Sequence, residues 1–432
     1  MKKDGLKIEP KILKGTRDFT PMDMAKRNLV MDKIRRIFER FGYDAIETPI
    51  ICPADTILGK YGDEGDRMTY NFDDAGGRRL ALPFDLTVPF ARFFAANYRE
   101  LPLPFKRYQI QRVWRAEKPQ KGRLREFYQC DIDIIGTKNL IAESEIAKVI
   151  VNVFKELGID FTIKVNSRRL LNAVLRDLGV EDGKVVDVVR VIDKILKIGE
   201  EAVVQELSDL GVVDAKSILN LLKPEKDFAV TLEKFGKYDT GEVRDFFRNC
   251  EQLGIIEFLE FDPSLARGLD YYTGIIYEVV SKDCGFGTIC AGGRYDDLCG
   301  LFCDEDFSGV GVAFGFERVM LLLEELGAFD EIQLNSKVLV TLFDEESISD
   351  SLSIYSDLIE AGINTEIYFE PVKLGKQIKY ADKKRIPFVV IRGSEERDKD
   401  EVAIKFMTSG KQKVIPRSQL TTYLLNYYES KE

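Results

Sequence analysis

Residues 106–136, KRYQIQRVWRAEKPQKGRLREFYQCDIDIIG, constrain the fold more than any other stretch of the chain. Two strand-like runs flank KPQKGR, a loop rich in turn formers and positive charge. Side chains alternate across a strand, so Arg115 and Glu117 share one face, and Phe127, Gln129, Asp131 and Asp133 share one on the partner. A face that carries an arginine, carboxylates, an amide and an aromatic ring makes a poor core. It makes a good floor for a site that binds a nucleotide and an amine. The same pattern also fits a solvated sheet face laced with cross-strand ion pairs. Apolar/polar alternations punctuated by turns precede these runs from residue 51 on, and together they point to an antiparallel sheet.

Other segments set the organisation. Residues 24–41 place Ile34, Ile37, Phe38 and Phe41 at helical spacing, with Gly42 as the stop, and YDAIETPII then reads as a strand running into Pro49. Pro224 is the single proline between Gln120 and Asp262. Over roughly 168–255 the pattern is helical, for example Val185, Val188, Val189, Ile192, Ile195 and Leu196, which predicts a helical insertion. Strand-like segments return at 270–280 and 286–315. From Lys337 the texture becomes KVLVTLF, a helix over 348–361, INTEIY, a helix over 374–384 and IPFVVIR, closed by EVAIKF, KVIP and a last helix. This βαβαβ order predicts a separate α/β domain with a mixed sheet, and EELGAFDEIQLNS before it reads as the hinge.

Composition excludes several chemistries. The chain of 432 residues contains no histidine, which removes Ser-His-Asp and Cys-His hydrolysis, histidine-ligated metals and imidazole bases. Catalysis must then run on carboxylates, arginines, lysines, tyrosines or bound ions. Seven cysteines do not suggest a disulfide scaffold. Cys284, Cys290, Cys299 and Cys303 lie close in sequence but lack paired C-x-x-C knuckles, so buried thiols are expected there and no protein-held metal. The start, MKKDGLKIEPKILKGTRDF, has no apolar core behind its basic residues, and no apolar run approaches spanning length, so a cytoplasmic protein with no membrane association is expected. A net charge of -10 argues against indiscriminate nucleic-acid binding. Acidic and basic residues nearly balance from Ser336 onward, which leaves that part the less repulsive surface for a polyanion.

Two further segments carry chemistry. ARGLDYYTG (266–274) sets Arg267 beside Tyr271 and Tyr272, and GVGVAFGFERVMLLLEEL (309–326) runs a glycine-punctuated strand into an apolar helix with Arg318 in its first turn. A cation there opposes the helix dipole unless a phosphate is its partner; otherwise it is an ordinary surface arginine. With these segments in hand, the chain resembles the histidyl-tRNA synthetases, class II aminoacyl-tRNA synthetases, along essentially its whole length. Residues 24–50 resemble motif 1, RVWRAEKPQKGRLREF motif 2 and GVGVAFGFERVMLL motif 3. KGTRDF, PFDLT (83–87), RGLDYYTG (267–274) and AGGRYDDL (291–298) resemble the histidine-specific signatures.

The resemblance implies an α+β catalytic domain, with a class II antiparallel sheet flanked by helices, in two parts, 1–167 and 256–330. A helical insertion over 168–255 and a C-terminal α/β anticodon-binding domain over 336–432 complete it. It implies activation of L-histidine with ATP to histidyl-adenylate and pyrophosphate, then transfer to the 3′ end of the tRNA for histidine. Arg115 is expected at the α-phosphate, Glu117 at the adenine amino group, Phe127 stacked on the ring and Arg318 at the γ-phosphate, with Mg2+ accompanying ATP. Asp85, Thr87 and Gln129 match the positions that hold the α-amino group of histidine. Asp133 and Tyr272 match those at its imidazole, with Tyr271 and Tyr295 lining the pocket. Arg267 matches the family's catalytic cation at the α-phosphate, where Arg115 joins it. Gln129, or a phosphate oxygen of the adenylate, is the expected mediator of proton transfer in the second step. Gln120 and Arg125 match positions that read the acceptor end of the tRNA, and motif 1 implies a homodimer. Aspartate stands at 85 and 133 where bacterial members often carry glutamate.

The rival reading is a catalytically inactive paralogue that serves as a regulatory subunit or histidine sensor. Against it, the chain keeps the terminal domain and retains Arg115, Arg267 and Arg318 together. A chain relieved of ATP chemistry has no reason to keep all three.

Overall fold

A computed structural model describes residues 9–429 except 226, 268–270, 284, 286, 331 and 333. The chain forms two compact units. Arg27–Phe329 belongs to one, and Asp330 onward, with Phe19–Lys26, to the other.

The first unit is built on an eight-stranded sheet. Its elements in chain order are α1 (Pro21–Arg40, in this unit from Arg27 on), β1 (Asp44–Ala45), α2 (Thr87–Asn97), β2 (Phe105–Trp114), β3 (Glu126–Ile135), α3 (Ile141–Glu156), β4 (Phe161–Ser167), β5 (Leu259–Phe261), β6 (Ile275–Ser281), β7 (Thr288–Tyr295), β8 (Gly309–Gly315) and α4 (Phe316–Glu325). The strand order is β1-β2-β3-β8-β7-β6-β4-β5. The interior pairs are antiparallel, and the short edge strands β1 and β5 run parallel to their neighbours.

Alternation divides this sheet into an apolar and a polar face. On β3, Cys130, Ile132 and Ile134 point to one side, as do Val310, Val312 and Phe314 on β8, all buried. Phe38 of α1 meets Phe314 at 5.6 Å and Tyr108 at 5.8 Å, and Phe154 of α3 meets Phe314 at 5.6 Å. Burying each such aromatic side chain contributes about 1.5–3 kcal/mol, which fixes both helices on this face. The opposite face of the same strands is polar, and it carries the site.

Between β4 and β5 the chain forms a run of short helices from Arg168 to Gln252. Their starts are set locally: the side chains of Ser167, Asp214 and Asp227 accept backbone N–H groups of the turns they open. The second unit has a five-stranded sheet in the order Thr365–Ile367, Val338–Val340, Phe388–Ile391, Glu401–Phe406, Gln412–Pro416. The first three strands are parallel and the last two antiparallel, a mixed sheet. Its core gathers Val338, Ile354, Leu358, Val390 and Leu424.

Most elements fall where the periodicity puts them, and two segments differ. YDAIETPII supplies only the two-residue strand β1, because Thr48 and Pro49 leave the ladder and Thr48 instead accepts from the amides of Gln109 and Gln111. Of the stretch 286–315, Thr288–Tyr295 and Gly309–Gly315 are strands, separated by a turn of 3₁₀ helix at Cys299–Leu301, and residue 286 lies outside the described residues.

Candidate active site

Strand register assembles the polar face. Across β2 and β3, Arg107 pairs with Asp133, Gln109 with Asp131 and Gln111 with Gln129. Across β3 and β8, Asp133, Asp131 and Gln129 face Gly311, Ala313 and Gly315. The β8 side therefore offers almost no side chain where β3 offers three polar ones, and the result is a slot. Gly311 is required: a Cβ there would lie 1.9 Å from Asp133 Oδ1.

Asp133 is buried and firmly held. The Tyr295 hydroxyl donates to its Oδ1 at 2.7 Å, and Arg107 Nη2 stands 2.5 Å from its Oδ2. Burial pushes its carboxyl up to about 6, against the pull of Arg107 and the Tyr295 hydrogen bond. Asp85 is also buried. Its Oδ1 accepts from the Tyr61 hydroxyl at 2.8 Å and from the backbone N–H groups of Thr87 and Val88, each at 3.1 Å, where α2 begins. Burial raises this carboxyl too, though those three donors and Arg115 oppose it. Asp131 is raised well above the carboxylate range, chiefly by burial, and neither of its oxygens has a hydrogen-bond partner. Gln129 Oε1 is likewise buried and unpartnered.

Tyrosines close one side. Tyr271 lies 4.8 Å from Tyr272 and 6.2 Å from Tyr295, centroid to centroid. Burial raises all three phenols, so they stay neutral and can donate. Arg267, which is half-buried, leaves its Nε without a hydrogen-bond partner. Burial works against its charge, and the neighbouring Tyr272, Glu278, Asp193 and Tyr271 more than offset that. Residues 268–270 of the same signature lie outside the described residues.

The AGGRYDDL segment holds this wall in place. Cβ atoms at Gly292 and Gly293 would lie 2.0 Å from Gly311 O and 2.6 Å from Ile275 O, so only glycine lets β7 sit between its neighbours. Arg294, fully buried, forms a two-pronged pair with Glu143 of α3 and donates to Thr137 O at 2.9 Å. Asp296 accepts from Thr273 Oγ1 at 2.7 Å and so anchors the end of the tyrosine loop.

Beyond the end of β2 the character turns basic. Arg115 and Glu117 do not share a strand face, since β2 stops at Trp114. Arg115 Nε instead donates to Phe84 O at 3.0 Å, and its guanidinium lies 4.3 Å from the Phe84 ring and 5.3 Å from that of Phe127. Glu117 pairs with Arg123 at 3.5 Å. Arg318, in the first turn of α4, donates to Thr288 O. Its pKa is lowered by burial and by the positive charge of Arg123, with Arg115 adding to this. Cations crowded this closely call for a polyanion between them.

Gln120 and Arg125 sit on the loop and not on the floor. Gln120 is exposed and exchanges backbone hydrogen bonds with Arg123. Arg125 turns inward: Nε donates to Glu117 O at 3.1 Å and Nη1 to Lys14 O at 3.2 Å. Gly15, at φ +93°, lets KGTRDF lie against this loop, where a Cβ would meet Pro119 at 2.6 Å.

The structure thus brings Asp85, Thr87, Arg115, Phe127, Gln129, Asp133, Arg267, Tyr271, Tyr272, Tyr295 and Arg318 around one face. The sequence reading missed Arg107, Tyr61 and Arg123. Arg107 could have been found from strand alternation, as a cation directly across from Asp133. Of the clustered cysteines, Cys290 and Cys299 are buried and Cys303 is half-buried, while Cys284 lies outside the described residues. Among the described residues no group of three or more histidine, cysteine or acidic side chains is placed to hold a metal.

Comparison with known proteins gives the following. The family model described as histidyl-tRNA synthetase matches residues 15–319, and that of an anticodon binding domain matches residues 335–427. The chain is 40% identical to a histidine–tRNA ligase of Christiangramia forsetii, over 94% of this chain and 96% of that one. Its fold matches the crystal structure of a histidyl-tRNA synthetase from a Nostoc species with a TM-score of 0.83, at 29% identity, covering 98% of this chain and 100% of that one. A Bacillus halodurans structure described as an ATP phosphoribosyltransferase regulatory subunit/histidyl-tRNA synthetase shares the fold (TM-score 0.72). It is 21% identical and covers 88% of this chain and 97% of that one.

Proposed function

Since the chain belongs to the histidyl-tRNA synthetase family, we propose that its acidic sheet face binds histidine and that its arginine-lined rim binds ATP. The chain is an aminoacyl-tRNA synthetase that joins histidine to its tRNA, with ATP as a substrate. In this reading the α-ammonium of histidine lies toward Asp85, Thr87 and Gln129, and the imidazole toward Asp133 and Tyr272, with Tyr271 and Tyr295 as walls. A neutral imidazole has one donor and one acceptor, so a carboxylate and a phenol satisfy both. An analogue lacking either nitrogen leaves a buried group unpaired.

Arg115 and Arg267 then face the α-phosphate, Arg318 the γ-phosphate, and Phe127 and Glu117 the adenine. The histidine carboxylate attacks the α-phosphorus in line and pyrophosphate leaves. Fixed guanidinium groups stabilise the charge that builds on the phosphoryl oxygens without reorganising. The terminal ribose hydroxyl of the tRNA next attacks the adenylate carbonyl, with Gln129 or an adenylate oxygen mediating the proton. In this reading Mg2+ would accompany the triphosphate and offset the charge of the outgoing phosphates.

Catalytic residues 1–167 and 256–330, an insertion over 168–255 and an anticodon-binding domain over 336–432 complete the reading, with Gln120 and Arg125 toward the acceptor end. Motif 1 supports a homodimer. Among the described residues no helix is long and apolar enough to cross a membrane.

The observation that carries this reading is the split of charge: three buried aspartates on the floor, and Arg115, Arg123 and Arg318 crowded at the rim. The test is histidine-dependent exchange of pyrophosphate into ATP, with and without Arg267→Ala. Exchange with histidine alone, lost in the variant, supports it. No exchange in folded protein would leave a histidine-sensing paralogue.

A further inference from the structure

Four buried acceptor oxygens on β3 have no hydrogen-bond partner; Asp133 Oδ2 is ion-paired with Arg107, which leaves Gln129 Oε1 and both carboxylate oxygens of Asp131 with neither hydrogen bond nor ion pair. The two residues are adjacent on the same strand face. No side chain donates a hydrogen bond to Asp131, although the charges of Arg107 and Arg115 reach it. Across β2, the Gln109 amide nitrogen donates to Thr48 Oγ1 at 3.0 Å and to Gln111, and its oxygen faces Arg107 Nη1 at 3.4 Å. Across β8 stands Ala313, which has no polar side chain.

The neighbouring carboxylates are already engaged. Asp133 has Tyr295 on one oxygen and Arg107 against the other. Asp85 takes three donors on Oδ1. A buried carboxylate with no donor costs several kcal/mol, and sites that keep one do so for a ligand that fills it.

We propose that Asp131 is a substrate-binding residue that, with Gln129 Oε1, accepts the α-ammonium of histidine. A primary ammonium carries three N–H donors and a positive charge. Three unmet oxygens, two of them on a carboxylate, match that demand in number and sign. The imidazole then extends along the same strand face toward Asp133. The inference rests on the reading that this face binds histidine. It adds a second carboxylate, with free oxygens, to the Asp85 site at which the resemblance places the ammonium. Burial holds the Asp131 carboxyl well up, so arrival of the ammonium is expected to expel a proton from it.

The experiment uses the full chain, with pyrophosphate exchange and calorimetry on wild type, Asp131→Ala and the isosteric Asp131→Asn. The wild type must first show histidine-dependent exchange; its failure would sink the functional reading and not this assignment. Asp131→Ala is expected to raise KM for histidine about 10- to 100-fold with little change in KM for ATP. Imidazole lactate, which has a hydroxyl in place of the amine, is expected to inhibit wild type and variant within about twofold of each other, since charge-assisted pairing is what the variant removes. Calorimetry in buffers of different ionisation enthalpy should show more proton release on histidine binding in the wild type than in either variant. If Asp131→Ala does not purify folded, Asp131→Asn is read in its place. An unchanged histidine KM overturns the assignment, and so does equal weakening of histidine and imidazole lactate.

Discussion

Arg107 decides the charge of Asp133, and its removal is expected to shift the pH dependence of histidine binding. Asp133 lies at about 6 with Arg107 Nη2 2.5 Å away, both side chains buried. With charge centres roughly 4 Å apart and an effective dielectric of about 20, the attraction is about 4 kcal/mol, or about three pKa units. Arg107→Met should therefore carry Asp133 to about 9. If the ionised carboxylate holds the imidazole, KM for histidine relative to wild type rises about 30-fold at pH 7.5 and about 4-fold at pH 8.5. The assay is histidine-dependent exchange at saturating ATP across that range, read as a ratio so that titration of histidine itself cancels. Asp133→Asn in the Arg107→Met background should flatten the ratio. Stability moves with a known sign. The folded carboxyl lies above its unfolded value of 3.8, so ionising it costs about 3 kcal/mol. That cost is absent below pH 4 and complete above pH 6. A KM ratio constant from pH 7 to 9 in folded protein would refute the argument.

Three further outcomes follow from contacts around the site. Gly311→Ala places a Cβ 1.9 Å from Asp133 Oδ1 and 2.8 Å from Ile132 O; urea unfolding should show a loss of about 1–3 kcal/mol, with histidine KM raised and ATP KM unchanged. Glu143→Ala leaves the buried Arg294 guanidinium without its two-pronged partner, which should cost about 3–5 kcal/mol in unfolding, most of it recovered by adding Arg294→Met. Arg318→Ala removes the rim cation farthest from the aspartates in the reading above; KM for ATP should rise about 10- to 150-fold, while calorimetric affinity for histidine stays within twofold.

How much of this was legible depended on the kind of signal. The helix Leu374–Lys384 falls where its pattern predicts, because an amphipathic stripe is a local property. Strand alternation put Gln129, Asp131 and Asp133 on one face from sequence alone. It failed at Arg115 and Glu117, where the ladder ends and the guanidinium turns to Phe84 O, a partner about thirty residues earlier. Tyr61 could not be read either, since its tie to Asp85 depends on how two distant loops pack. The signature segments were recognisable, but their parts do different work. In AGGRYDDL, Tyr295 touches the site, whereas Gly292, Gly293 and Arg294 serve strand spacing and a buried ion pair. Arg125 shows the converse: matched to a tRNA-reading position, it spends its hydrogen bonds on Glu117 O and Lys14 O.

The split of charge across the site makes Arg115 its hinge. It is coupled electrostatically to Asp85 and Asp131 on one side and to Arg318 on the other. In the proposed reading the histidine carboxylate meets the α-phosphorus where those two fields join, because the ammonium is drawn to the floor and the triphosphate to the rim. A cation at that seam favours the anionic ends of both substrates at once and keeps two like charges from repelling each other. Arg115→Gln should then raise KM for both histidine and ATP and lower kcat as well. Arg318→Ala should act on ATP alone, and Asp131→Ala on histidine alone. Steady-state kinetics of exchange with each substrate varied in turn separates the three patterns. If Arg115→Gln affected only one substrate, the seam would have to lie elsewhere, with Arg267 the remaining cation able to span it.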